Sequence, residues 1–298
     1  MTEIAPQTLR RGIYTALAAT ACFGVFPAAS RAVYAEGGNA VSVILVTTWV
    51  RAIALAGFSL LARKRLFASW SDFKESAIGG AFQTVSILCI LTALGYLPGP
   101  IVIIIVFTHT LMLLFFMAWR GEIKLDSITV ASTVAALGGL SLVLDLWHAQ
   151  SKANYIGIAL AFVAAGATLS RIYVYGKQTQ TRYPTVVGAE NFLIAAVFVS
   201  FFTFVSPPHF PLSIAGYYWL GAASISLTLG TFFLFYGISL LGSFRYSLFS
   251  KVEPIFTSLF SVWFLGEVLK SQQYMGIVVV VCSLVLYQVF EQRRIKRA

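Results

Sequence analysis

The sequence predicts an all-α polytopic membrane protein, with ten transmembrane helices arranged as two inverted five-helix repeats. Three observations predict it. Of 298 residues, 58% are hydrophobic and 11% charged, against about 45–50% and about 25% in soluble domains. The apolar residues gather into ten runs, each near the length of about 20 residues that crosses about 30 Å of hydrocarbon. Lys and Arg between those runs fall almost wholly in alternate loops. A net charge of +10 would suggest a polyanionic partner in a soluble chain. Here 25 Phe, 13 Tyr and 6 Trp with so few charges leave lipid as the solvent of the exterior, so the bilayer, not nucleic acid, is the expected partner.

The ten runs are Gly12 to Tyr34, Ala40 to Leu61, Ser76 to Leu97, Gly99 to Trp119, Ser127 to Trp147, Tyr155 to Tyr175, Pro184 to Phe204, Tyr217 to Leu241, Tyr246 to Phe264 and Tyr274 to Phe290. Arg10 and Arg11 before the first run, and FPAAS within it, have the look of a signal peptide. The run is too long for an h-region and reads as a retained first helix. Connections are short; the longest are the basic ARKRLFASWSDFK and the Pro-rich SPPHFPLS. Cys22, Cys89 and Cys282 lie far apart in apolar runs, which argues against disulfides and structural zinc.

Ten spans put both termini on one side. That side carries fifteen Lys or Arg outside the spans, from Arg10 to Arg297, and the other carries Lys152 and Lys270. By the positive-inside bias both termini are expected in the cytoplasm. Five is odd, so a five-span unit used twice must insert the second time upside down. Traces of duplication are present: Ser30 and Arg31 recur 140 residues later as Ser170 and Arg171, and Gly121 and Glu122 recur 145 residues later as Gly266 and Glu267. The second shift lays Gln83 and Ser86 on Thr228 and Thr231. The expected halves are residues 1–150 and 151–298.

Polar atoms enter the membrane selectively. In the ninth span Ser247, Ser250, Lys251, Glu253, Pro254, Thr257, Ser258 and Ser261 share one face at about 100° per residue. Pro254 lacks an amide hydrogen, which predicts a kink near Ser250. Gln83 and Ser86 share a face of the third span, and Gly221, Ser224, Thr228 and Thr231 one of the eighth. Hydroxyls also serve plain helix packing, whereas an unpaired amide is costlier. Arg31, Arg51, Arg171, Lys251, Glu190 and Glu253 lie within spans, and each needs a partner, water or a route to the interface. Arg31 and Arg171 read as snorkelling. Arg51 admits hydrogen bonds to carbonyls or contact with a substrate. Glu253 admits a proton site or a structural role, and His109 a relay, a ligand contact or packing. No HExxH, GxSxG, Walker or GxGxxG motif appears, and His109, His148 and His209 are dispersed. The sequence therefore predicts no enzyme, catalytic residue, metal or cofactor.

Arg51 in WVRAIALA, Glu253 and Pro254 followed by FTSLFSVWFLGE ending in Gly266 and Glu267, and the echo FFMAWRGE resemble the EamA branch of the drug/metabolite transporter superfamily. The overall pattern is also similar to the YddG-type amino-acid exporters within it. The resemblance covers nearly the whole chain. It implies a ten-helix inner-membrane carrier, mostly of the exporting kind, with a central cavity between the halves. Gln83, Ser86, Thr108, His109, Thr168, Thr228, Ser250 and Glu253 would then line the cavity and bind substrate. Where aromatic exporters of the branch are expected to carry Trp-Pro in the fourth helix, this chain has Thr108 and His109, which favours a broader amino-acid range. The expectation is a secondary transporter that moves small zwitterionic metabolites outward by alternating access, with the proton as a candidate coupling ion. Anionic metabolites such as sugar phosphates or nucleotide sugars are the alternative cargo, and a non-transporting scaffold the alternative class. Oligomeric state stays open.

Overall fold

In the computed structural model, residues 6–146, 154–265 and 268–297 are described, and all their regular structure is helical. The helices are α1 (Pro6–Ala35), α2 (Ala40–Leu61), α3 (Trp70–Leu94), α4 (Gly99–Phe107), α5 (His109–Trp119), α6 (Ser127–Val143), α7 (Tyr155–Thr181), α8 (Pro184–Phe202), α9 (Ile214–Leu241), α10 (Ser243–Phe249), α11 (Glu253–Leu265) and α12 (Ser271–Arg297), with a 3₁₀ turn at Ser250–Val252. Among the described residues, eight helical units are long and apolar enough to cross a membrane, α4 and α5 together forming one of them. The ninth is the shorter α6, and the tenth is the broken unit of α10, the 3₁₀ turn and α11. The protein is thus an all-helical, ten-span membrane protein.

Several helices outrun their apolar runs because polar caps start them in the aqueous interface. Ser69 accepts from Asp72 N while Asp72 accepts from Ser69 N, so α3 begins a turn and a half before Ser76. Ser213 caps α9 by accepting from Gly216 N, and Asn39 and Ser42 form the same reciprocal pair at the start of α2. At the end of α5, Gly121 adopts φ 71°, and Glu122 N reaches Met117 O at 2.9 Å, closing the helix with a glycine C-cap. The turn delivers Glu122 to Tyr173 Oη (2.6 Å) and Lys177 Nζ (3.0 Å) of α7. The echoing Gly266 and Glu267 lie outside the described residues, as do Lys152 and His148.

The principal packing pairs are α1 on α9, α3 on α7, α2 on α8 and α6 on α12. Match the spans of the two halves in order, α1 with α7, α2 with α8, α3 with α9, α4–α5 with α10–α11 and α6 with α12. Exchanging the halves turns the α1–α9 contact into the α7–α3 contact and leaves α2–α8 and α6–α12 unchanged. The secondary contacts obey the same exchange, α4 and α5 on α7 mirroring α10 and α11 on α1, and α3 on α8 mirroring α9 on α2. Two five-span repeats related by a pseudo-two-fold axis pack this way. Small residues allow it: Gly139 and Gly276 face each other between α6 and α12, where a Cβ on Gly276 would stand 2.6 Å from Gly139 O.

Loops of one repeat grip the other at both ends. At the end bearing the N-terminus, Glu190 is buried and accepts from Arg182 Nη1 (2.6 Å), Ser76 Oγ (2.7 Å) and Phe67 N (2.6 Å). Asp72 and Glu75 also reach Arg182. At the other end Asn39 joins the α8–α9 loop through Pro207 O and His209 N, and Ser213 Oγ donates to Glu36 Oε2 (2.5 Å). Lys270 pairs with Asp145 across the α6 and α12 ends (2.6 Å). Removing one partner of a buried, hydrogen-bonded ion pair typically costs about 3–5 kcal/mol. Glu190→Ala is therefore expected to lower the melting temperature of the purified protein clearly, with Glu75→Ala, at the exposed end of the same cluster, close to wild type.

Candidate functional site

Both fourth spans break in mid-course. In the second half Pro254 has no N–H to offer Ser250 O, and Glu253 N takes that carbonyl in the 3₁₀ turn instead. The first half breaks at Thr108 without proline or glycine. There the His109 ring holds Val106 O through Nδ1 at 2.7 Å, and Thr108 N turns to Ile105 O. With its proton on Nδ1, His109 accepts from Ser247 Oγ at Nε2 (2.9 Å), while Thr110 Oγ1 donates to Ser247 Oγ (2.6 Å). The two breaks thus touch through a buried chain running from Thr110 through Ser247 and His109 to Val106 O. Phe107, last in α4, lies under Lys251 Nζ at 4.2 Å from the ring centroid.

Other polar residues gather beside this joint. Ser86 Oγ and Thr168 Oγ1 are 2.7 Å apart between α3 and α7, and Tyr175 Oη donates to Gln83 Oε1 at 3.5 Å. Tyr175 is fully buried and within hydrogen-bonding reach of Arg171. Arg171, Lys251 and Glu253 are electrostatic neighbours of one another's surroundings, with His109, Tyr246 and Arg51 at the margins. Arg51 donates Nε to Thr47 O (3.0 Å) and Nη2 to Thr48 Oγ1 (3.3 Å), and stacks on Phe192 (4.5 Å). Of its two readings, the bond to carbonyls is the one the geometry displays.

The expected site residues divide. Gln83, Ser86, Thr168 and His109 meet partners on other helices, and Glu253 stands in the first turn of α11 beside Lys251. Thr108, Thr228 and Ser250 turn their hydroxyls onto Ile105 O, Ser224 O and Ser247 O of their own segments. Thr108 also approaches Met112 Sδ on an exposed face. Snorkelling describes Arg31, exposed in the last turn of α1, but not Arg171. Helix α7 continues to Thr181, so Arg171 lies ten residues from its end, with Nε buried. The tail of α7 also hides Gln178, which accepts from Asn191 Nδ2 (2.7 Å) of α8. Sequence reading also left Tyr175, Thr110 and Lys251 out of the site. Lys251 had a visible signal, a charge on the polar face of the ninth span.

The model of the EamA-like transporter family matches the chain twice, over residues 10–145 and 155–288. The chain belongs to the EamA-like transporter family. The two matches fall on the two packed repeats, and the protein is a multi-pass membrane transporter rather than an enzyme. A crystal structure is similar over 95% of this chain and 99% of its own, with TM-score 0.78 and 15% identity, a likeness of fold. No curated protein matches at a significant level. In this transporter the joint of the two broken spans is the candidate site.

Ser247→Ala would remove the hydroxyl that donates to His109 Nε2 and leave Thr110 Oγ1 the longer bond to Ser247 O (3.3 Å), a loss of about 1–3 kcal/mol. Thr110→Val should lose less. The double variant should lose measurably less than both effects added, read as the coupling in a cycle of melting curves.

Proposed function

We propose that the protein is a secondary exporter of small zwitterionic metabolites, amino acids foremost, working by alternating access between its repeats. The observation that supports this reading best is the joint itself. Two discontinuous helices, one from each repeat, meet in mid-span beside buried Lys251 and half-buried Arg171 and Glu253 among hydroxyl groups, the arrangement that secondary carriers use to hold charged cargo. In the proposal Gln83, Ser86, Thr108, His109, Thr168, Thr228, Ser250 and Glu253 serve the substrate, with Glu253 also the candidate carboxylate for proton coupling. We also propose repeat boundaries at 1–150 and 151–298 and placement in the inner (plasma) membrane with both termini cytoplasmic. The excess of interior Arg51, Arg171 and Lys251 over Glu253 favours a second reading, a carrier of anionic metabolites.

Proteoliposomes loaded with labelled amino acids test the proposal: counterflow of amino acids supports it, exchange of phosphate esters supports the second reading, and silence toward both overturns both cargo readings. Gln83→Leu is expected to weaken amino-acid binding at least about tenfold with little loss of folded protein, since a hydrogen bond to a charged group contributes about 1.5–3 kcal/mol. Binding within twofold of wild type would reduce Gln83 to packing. For orientation, in a background without Cys22, Cys89 and Cys282, a cysteine at Lys270 should react with an impermeant thiol reagent from outside, and one at Lys64 should not. The reverse labelling overturns the proposed topology.

A further inference from the structure

Lys251 is fully buried, and its Nζ has no hydrogen-bond partner. The neighbouring hydroxyls are already engaged: Ser247 Oγ with His109 and Thr110, Ser250 Oγ with Ser247 O, Thr108 Oγ1 with Ile105 O. The Phe107 ring offers a cation–π contact but no acceptor for three N–H donors. Glu253 does not fill the gap either. Its carboxylate is an electrostatic neighbour of Lys251, yet no hydrogen bond joins the two. Arg171, beside Glu253, also keeps a buried, unpartnered Nε. A buried cation with free donors is costly to keep unless something pairs with it.

We infer that Lys251 Nζ receives the anionic group of the cargo, and that Glu253 faces the cationic group. The inference rests on the proposed export of zwitterions and names the two poles that would recognise them. A zwitterion leaves the net charge of Arg171, Lys251 and Glu253 unchanged and pairs its poles locally, its carboxylate with the unpartnered Lys251 ammonium and its ammonium with Glu253.

Binding to purified protein in nanodiscs tests this, with methionine, threonine and phenylalanine as probes, each beside its amide, which lacks the carboxylate charge, and with glycerol 3-phosphate. The free amino acid is expected to bind wild type at least tenfold more tightly than its amide. Lys251→Met should erase that preference and leave the amide unchanged, and should melt no lower than wild type, because it removes an unpartnered charge. Lys251→Arg should retain the preference. Equal binding of acid and amide by wild type, or undiminished amino-acid binding by Lys251→Met, overturns the inference. So does a Lys251→Met protein that melts lower and loses acid and amide alike, since that marks a structural lysine. If glycerol 3-phosphate binds, amino acids do not, and Lys251→Met abolishes that binding, Lys251 stands while the Glu253 role and the zwitterion reading fall. Binding by none of the probes overturns both.

Discussion

Hydrocarbon offers no hydrogen bonds, and every other feature of this protein follows from that constraint. A polar group within the ten spans must find its partner in the protein, so polar groups collect where one repeat crosses the other. The cross-repeat contacts α1–α9 and α3–α7 carry them: Ser226 Oγ reaches Cys22 O (2.6 Å), and Ser86 meets Thr168. The exteriors of α2, α9 and α12 present Ile, Leu, Val and aromatic side chains. The pseudo-two-fold axis therefore does two things at once. It pairs the helices by shape, through small residues, and it brings polar pairs such as Ser86 with Thr168 to the interface between repeats.

The two mouths obey the same exchange but with different chemistry. The α7–α8 turn grips the α2–α3 segment through Arg182 and Glu190; its counterpart, the α1–α2 turn, grips the α8–α9 segment through Asn39 and Glu36. The buried Arg182–Glu190 pair lies within the second repeat, and what joins the repeats at that end is the set of bonds from Phe67 N and Ser76 Oγ to Glu190, with Asp72 and Glu75 on Arg182. The other end is joined mainly by hydrogen bonds to backbone and a serine.

Spans and repeats were legible because hydropathy and loop charge report on the solvent around each residue, which no tertiary detail alters. The broken ninth span was legible for the same local reason: Pro254 cannot donate. Helix ends were not, because Ser69 with Asp72, and Ser213, start helices in stretches whose polarity marks them as loop. That error carried into the site. Ending the sixth span at Tyr175 made Arg171 an interfacial residue, whereas the helix continues through Gln178 and Thr179, buried by contact with α8 and their own turn. Burial of the α7 tail is a tertiary fact with no periodic signature.

The fourth span shows why the rest of the site stayed hidden. Its break has no sequence breaker. It depends on a histidine ring taking the carbonyl of the preceding turn, and the ring is held there by a serine 138 residues away. Pro254 breaks its helix by covalent structure alone, whereas the His109 ring at the other break is hydrogen-bonded to Ser247. The proline-made break in one repeat thus presents the residue that stabilises the break in the other. Motion of one repeat against the other would separate His109 from Ser247, and the first-repeat break would then lose its support while the second kept its own. The two half-sites are alike in placement and unlike in stability, so the α4–α5 joint is the part of the candidate site whose shape depends on how the repeats are docked.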